Sequence, residues 1–355
     1  MLCIGLKKLY ICSPIDPMTK FNVKKEHVRE LFKSFNNLTA LVIGDVMVDT
    51  YLWGEVSRIS PEAPVPIVTV QKKGKRLGGA ANVALNLQAL GATPILCSVI
   101  GVDSEGQAFL DLLRHQRLSQ KGILKSRERN TTVKTRIIGN NHQMLRVDEE
   151  CVDEIPAYET DQLLHLITFI LEHDKIDLII FEDYNKGLIT ARIIQKVIEL
   201  ANKRGIPTAV DPKKKNFMSY RGVTLFKPNL KELREGLKAD IDPEKENEMH
   251  KVVSSFRHRQ KIETVLLTLS EKGILTNSRK LKEIVPAHIR TIADVSGAGD
   301  TVISVAALCT ALETHPVLTA ALSNLAGGLV CEQVGVSPIN KDQLLKEALY
   351  LDFVR

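Results

Sequence analysis

The segment Ala293 to Ser304, ADVSGAGDTVIS, sets three small residues, Ser296, Gly297 and Ala298, ahead of Gly299 and Asp300 and then runs into apolar helix formers. Taken alone, such a Gly-x-Gly-Asp is most simply a tight turn opening a helix, because glycine tolerates unusual backbone angles and aspartate suits a first helical turn. The same arrangement can also do chemistry. The first N–H groups of a helix lack partners within it, the dipole end is positive, and small side chains let a phosphate come close. Further polar groups recur where apolar runs stop. Asp45 and Asp49 follow TALVIG, Gly78, Gly79 and Asn82 open a helical segment, and Asp183 and Lys186 follow LIIFE. Asp211 follows PTAV, and Asn229 and Glu232 follow LFKP. Each alone reads as a cap or turn residue. Their repetition at the same end of successive strands is what a site in an open α/β sheet requires.

The elements that must position these groups follow from periodicity. From Thr39 short apolar runs alternate with helical stripes: a strand ending at Gly44-Asp45, the helix GGAANVALNLQALGA stopped by Gly91, the strand TPILCSVIG, and a helix from Ser104 to Arg117. The pattern continues with a strand from Asp177 to Phe181, a helix from Thr190 to Lys203, strands IPTAVDP and GVTLFKPN, a helix near Asp242 to Gln260, and the strand ETVLLTLS. That order predicts a doubly wound, mostly parallel α/β sheet with helices on both faces. Two stretches depart from it. Tyr51 to Leu77 and Asn130 to Glu150 alternate polar and β-branched residues around Pro or Gly-Asn-Asn turns, which suits antiparallel strands of a small inserted β-sheet, either a lid on the crevice or a plain structural hairpin. The expected organisation is an N-terminal tail and first helix over 1–38, one α/β domain over 39–345 with lid strands at about 51–77 and 130–150, and a C-terminal tail over 346–355.

Composition narrows the class. With 355 residues, 44% hydrophobic, 25% charged and a formal charge of +6, the chain has the makeup of an ordinary globular protein, which excludes disorder and fibre. The most basic run, DPKKKNF around Lys213 to Lys215, has no interleaved aromatics, so no nucleic-acid partner is expected and the run reads as a solvated loop that can attract phosphates. Cysteines at 3, 12, 97, 151, 309 and 331 form no Cys-x-x-Cys, which points to reduced thiols and a cytoplasmic setting. The start of the chain has no export pattern, Met18 is an alternative first residue, and no segment is apolar and long enough for a membrane span.

GGAANVALNLQALGA and DVSGAGDTVIS, in this order and at this separation, resemble the two signature regions of the PfkB/ribokinase family of carbohydrate kinases. IGDVMVDTYLWGEVSRISPEAPVPIV, QMLRVDEE, FEDYNKG and DPKKKNF with YRGVTLFKPNLKE are similar, more narrowly, to the D-glycero-β-D-manno-heptose-7-phosphate kinases of lipopolysaccharide core synthesis. The likeness runs from about Thr39 to Pro338, and SRISPEAPVP is its most specific part. The chain departs from the usual pattern at Asn185, at Lys214-Lys215-Asn216, at Lys227 where threonine is commoner, and at Ser296.

The resemblance implies a ribokinase-like fold and an ATP-dependent kinase acting on the anomeric hydroxyl of a heptose 7-phosphate to give the 1,7-bisphosphate. Asp300 would be the general base, with Gly297, Ala298 and Gly299 shaping the anion site. Asn229 and Glu232 would organise Mg²⁺ through water, or form a helix cap with its capping-box Glu, or both. Ser270, Gly273, Asn324 and Gly328 would line the adenine and ribose side. Asp45, Asp49, Gly78, Gly79, Asn82 and Asp183 would face the sugar, and Lys134, Arg136, Arg146 and Lys186 would meet its phosphate. Partners would be the sugar phosphate, ATP, and a second copy docked through the lid, whose Val65, Ile67, Val68 and Val70 are apolar for a free surface. The alternatives are another sugar or sugar-phosphate kinase, or a non-catalytic sugar- or nucleotide-binding regulator, which the presence of Asp300 and the glycines disfavours. Some relatives are fused to a nucleotidyltransferase; without a His-x-Gly-His, that step would need a separate protein.

Overall fold

The computed structural model describes residues 21–288 and 290–355, so the expectations for Cys3, Cys12 and Met18 lie outside the described residues. The chain opens with α1 (Lys25–Ser34) and β1 (Thr39–Gly44), then makes β2 (Val46–Ile59), β3 (Pro66–Gly79), α2 (Ala80–Ala89), β4 (Thr93–Gly101), α3 (Ser104–His115) and β5 (Gly122–Ser126). A second hairpin follows, β6 (Val133–Gly139) and β7 (His142–Glu149), and then α4 (Ala157–His173), β8 (Leu178–Glu182), α5 (Ala191–Arg204), β9 (Thr208–Asp211), β10 (Leu225–Phe226) and α6 (Leu230–Leu237). The last part comprises α7 (Glu246–Gln260), β11 (Thr264–Thr268), β12 (Ile274–Ser278), β13 (Lys282–Val285), α8 (Ala298–Ala311), α9 (Pro316–Cys331) and α10 (Lys341–Ala348).

Among the described residues the main sheet has nine strands in the order β13-β12-β11-β10-β9-β8-β1-β4-β5. It is parallel from β5 to β11, with β12 and β13 antiparallel at one edge. Helices cover both faces, so the central strands are apolar throughout rather than alternating. In β1, Ala40 and Val42 pack into the core on the α2, α8 and α9 side, while Leu41 and Ile43 pack into the core under α4, α5 and α7. Each large side chain fully buried this way contributes roughly 1.5–3 kcal/mol. The doubly wound expectation holds. Sequence periodicity missed α4, β5 and the antiparallel edge. The last residues, expected as a tail, complete α10 and then pack: Leu351, Phe353 and Val354 are buried, and Val354 bridges in parallel to Val23.

The second sheet has the order β3-β2-β6-β7. Both hairpins are antiparallel as expected, but they join through a parallel β2·β6 pair, a correction to the all-antiparallel reading. The strands also start closer to the body than expected. Val46 begins β2 one residue after Asp45, and β3 ends at Gly79 against the first residue of α2, so Asp49, Gly78 and Gly79 belong to this sheet's ladder. Register divides its faces. Thr50, Leu52, Thr135, Ile137, Leu145 and Val147 are paired on one face, which is apolar, with Leu145 56% and Val147 43% exposed. Asp49, Tyr51, Lys134, Arg136, Arg146 and Asp148 share the other. Of Val65, Ile67, Val68 and Val70, read together as one cluster, Val65 precedes β3, and Ile67 lies on the opposite face of the strand from Val68 and Val70.

Candidate active site

Strand β1 lies between β4 and β8, where the chain winds first one way and later the other. In such sheets the crevice forms beyond the carboxyl ends at this switch point. Gly44 pairs with Glu182 there, so Asp45 and the loop after β8 flank the crevice, while Asp211 ends β9 and Lys227 directly follows β10. The N-terminus of α8 sits over these strand ends. Gly297 caps it in the left-handed region (φ 81°), and a side chain at Gly297 would stand 2.9 Å from the Asn82 amide nitrogen. The N–H groups of Gly299 and Asp300 find no acceptor among the described residues and remain available to an anion.

Asp300 is buried beside them. One carboxylate oxygen accepts from Asn82 Nδ2 at 2.6 Å and the other from Tyr184 OH at 2.7 Å. Burial pushes its pKa up to about 6, against the lowering effect of those two hydrogen bonds. A carboxylate so tuned is a competent proton acceptor near neutral pH. Tyr184 stays a phenol, since burial, and then the Asp300 carboxylate, hold it well above its usual value. Sequence reading had no signal for Tyr184 beyond its neighbour Asp183.

The other expected acceptor-side residues are gathered at the crevice, but several are engaged with the protein. Asp45 accepts from the N–H groups of Tyr184 (2.9 Å), Lys186 (3.1 Å) and Leu188 (3.1 Å), so it sets the loop that carries Tyr184. Asp183 holds Asn216, Tyr220 and the N–H of Asn185. Gly78 and Gly79 allow close approach: a side chain at Gly78 would run into the Asp49 carboxylate, and at Gly79 into the Asp45 carbonyl. The four cations are all paired. Arg136 binds Asp49 at 2.5 Å, Arg146 binds Asp148 at 2.8 Å, Lys134 reaches Asp148 (2.9 Å) and Glu150 (3.2 Å), and Lys186 reaches Glu150 (2.7 Å). The surplus of positive charge read from the sequence is therefore balanced within the sheet and its border.

Beneath Gly299 lies a charged group that sequence reading assembled only in part. Lys227, 3% exposed, pairs with Asp211 at 2.7 Å, and Lys213 pairs with Glu232 and lies 3.7 Å from Asp211. Glu182 is wholly buried with neither carboxylate oxygen hydrogen-bonded, and the second oxygen of Asp211 is likewise orphaned. Burial, then the Asp211 and Asp300 carboxylates, push Glu182 well above the usual carboxylate range. Asn229 and Glu232 form a reciprocal capping box on α6, each accepting the other's N–H at 2.8 Å. The described residues bring no three metal-ligating side chains together. These orphaned hard oxygens and the capping-box pair suit a Mg²⁺ that keeps its waters, not one caged by protein.

Ser270, Gly273, Asn324 and Gly328 do meet. They line a cavity of about 650 Å³ with Ile274, Ile292, Val295 and Val302, and it reaches Gly299. Its size and largely apolar wall suit a small organic ligand. Gly273 (φ 95°) is pressed against the Val285 carbonyl, and Gly328 against Arg290, which is held by Glu332 and Glu347. A larger cavity, about 780 Å³, opens at the opposite ends of the strands beside Pro207 and Thr224 and contains none of these residues.

Comparison with known proteins agrees with this arrangement. The pfkB family carbohydrate kinase model matches residues 37–343. The chain is 36% identical to the bifunctional protein HldE of Syntrophotalea carbinolica over 90% of its length and 65% of that relative's, and 39% identical to the HldE of Methylobacillus flagellatus over 86% and 62%. It therefore spans less than two thirds of the curated relatives it matches. Among solved structures, phosphofructokinase-2 of Escherichia coli superposes with a TM-score of 0.73 at 18% identity, covering 88% of this chain and 98% of its own. Arabidopsis thaliana ribokinase, solved with ribose and ATP, gives 0.66 at 15%, covering 87% and 99%. With a crevice, a helix N-terminus and a buried aspartate placed as described, and a family match over most of its length, the chain belongs to the pfkB family of carbohydrate kinases, enzymes that transfer a phosphoryl group to a sugar.

Proposed function

We propose that the chain transfers the γ-phosphoryl group of ATP to the anomeric 1-hydroxyl of D-glycero-β-D-manno-heptose 7-phosphate, a step toward ADP-heptose. The observation that carries this reading is the relation to proteins named HldE at 34–42% identity over most of the chain, together with the buried Asp300 at the N-terminus of α8. ATP would place its adenosine in the cavity lined by Ser270, Gly273, Asn324 and Gly328 and its terminal phosphate at the free N–H groups of Gly299 and Asp300. Asn229 and Glu232 would hold Mg²⁺ through water, and bound there it would shield the charge of the triphosphate. Asp300 would take the proton of the attacking hydroxyl while Asn82 and Tyr184 fix its carboxylate.

The sugar would lie under the lid, its phosphate exchanging for Glu150 or Asp148 at Lys134, Lys186 and Arg146. The apolar outer face with Leu145 and Val147 supports a homodimer through the lid. The matched relatives are bifunctional by name, and a nucleotidyltransferase step would be carried by residues beyond those described here or by a separate protein. A cytoplasmic setting agrees with free thiols at Cys97, Cys151, Cys309 and Cys331 and with described helices that are nowhere long and apolar enough to cross a membrane.

The deciding test is kcat/KM with ATP and Mg²⁺ for heptose 7-phosphate, heptose, fructose 6-phosphate, ribose and adenosine, followed by location of the new phosphate. Preference for heptose 7-phosphate with phosphorylation at position 1 is expected. Equal or better use of a neutral sugar would remove the acceptor assignment and leave the kinase class standing.

A further inference from the structure

Lys227 directly follows β10 and holds its ammonium group inside the protein, 3% exposed and 2.7 Å from Asp211. The side chain is not placed there by packing alone. A Cβ built on Gly299 would lie 3.7 Å from both the Lys227 nitrogen and the Asp211 oxygen, so the ion pair faces the second residue of α8 directly. That residue and the next, Gly299 and Asp300, carry the N–H groups left without an acceptor among the described residues. A buried ammonium therefore stands behind a helix N-terminus that already favours an anion, with glycine leaving the space between them open.

A lone buried cation is costly, and a single carboxylate would be the economical counter-ion. Here the counter-ion has a competing neighbour, because Lys213 lies 3.7 Å from the other oxygen of Asp211 while also pairing with Glu232. Burial works against the charge on Lys227, yet Asp211 and then Glu232 outweigh it and hold its pKa above the usual lysine value. The group stays charged and can donate beyond its bond to Asp211, since an ammonium has three protons.

The geometry points to Lys227 as a residue that binds the transferring phosphoryl group, its ammonium acting together with the N–H groups of Gly299 and Asp300 on the terminal phosphate of the nucleotide. This rests on the kinase reading above. It adds to that reading a cation supplied by the protein itself where phosphoryl charge shifts during transfer, the kind of preorganised charge that lowers such barriers.

The test compares calorimetric binding of the β,γ-imido analogue of ATP and of ADP, both with Mg²⁺, to the wild-type chain and to Lys227→Met. The analogue has the terminal phosphate and ADP lacks it. Loss of one charge-assisted contact should weaken the analogue by about 10-fold or more and leave ADP within about 2-fold. If Lys227→Met does not fold because Asp211 is left unpaired, the double variant Lys227→Met, Asp211→Asn removes both charges and is judged by the same ratio, with its melting temperature as the fold control. Equal weakening of both nucleotides, or of neither, overturns the assignment and leaves Lys227 as the partner of Asp211 only. A wild-type chain that binds neither nucleotide overturns the kinase reading itself, and this assignment with it.

Discussion

Asn82 and Asp300 are separated by 218 positions in the sequence and meet at 2.6 Å inside the protein. Each comes from one of the two signature segments, so their contact is where the first helix after the lid and the helix of the anion site are locked together. The amide can only donate through its nitrogen here, which leaves the Asp300 carboxylate as acceptor and fixes its orientation, as the proposed proton transfer requires.

Replacing Asp300 by Asn should keep the fold and nucleotide binding while kcat falls at least ~10²-fold. Because the base must be ionised, wild-type kcat/KM should rise with pH through about 6 and level off above it. A pH–rate profile in the wild type and near-normal turnover in the variant are the two measurements that could contradict this.

The same carboxyl carries a stability cost. Its folded value of about 6 lies above the 3.8 of an unperturbed aspartate, so the folded state holds the proton more tightly and stability is lost as pH rises from about 4 to 6. Asp300→Asn removes that loss. The variant should exceed the wild type in stability by up to ~3 kcal/mol at pH 8, with the gain fading toward pH 4, as thermal melts at the two pH values would show.

Gly297→Ala should lower both activity and stability. The backbone there is left-handed, and the added methyl group would sit 2.9 Å from the Asn82 nitrogen, displacing the amide from Asp300. A stability loss of about 1 kcal/mol is expected from the backbone alone, with a larger proportional fall in kcat than in nucleotide affinity.

Arg136→Met strands the buried Asp49 carboxylate in the lid and should cost about 3–5 kcal/mol. Asp49→Asn in the same chain should recover most of it, since no charge is then left unpaired. A double-mutant cycle by denaturant melts measures both; a single variant as stable as the wild type would show that the pair is dispensable.

Leu145→Lys with Val147→Lys places two charges on the outer face of the lid. Sedimentation should show a dimer for the wild type at micromolar concentration and a monomer for the variant. A wild-type monomer with full activity would remove the dimer proposal.

Much of the main sheet was legible because its strands are continuous apolar runs and its helices carry clear stripes, patterns fixed by burial on both faces. Gly79, Gly273 and Gly297 were legible because a backbone with positive φ narrows the choice of residue, and Asp300 because it sits in the first turn of the helix that Gly297 caps. The ion pairs of Lys134, Arg136, Arg146 and Lys186 were not, since pairing across strands depends on a register that no local pattern specifies. Glu182, Tyr184 and Lys227 were missed as site residues for a related reason: each is ordinary in its own segment and becomes unusual only when α8 is laid over the strand ends. Helix α4 was overlooked although it is a regular element.

The strand at the switch point of the sheet is the first of its nine to be made. β1 occupies residues 39–44, but its neighbours β4 and β8 begin at residues 93 and 178, and α8, which covers one face and brings Asp300, begins at residue 298. At a synthesis rate of about 5–20 residues per second the wait between β8 and α8 lasts seconds. Throughout it, the apolar face that receives α8 and α9 has α2 over only part of it. The ribosome-bound chain is thus most exposed to aggregation in its middle period, and its turnover begins only when the segment from Ala298 onward has closed over that face.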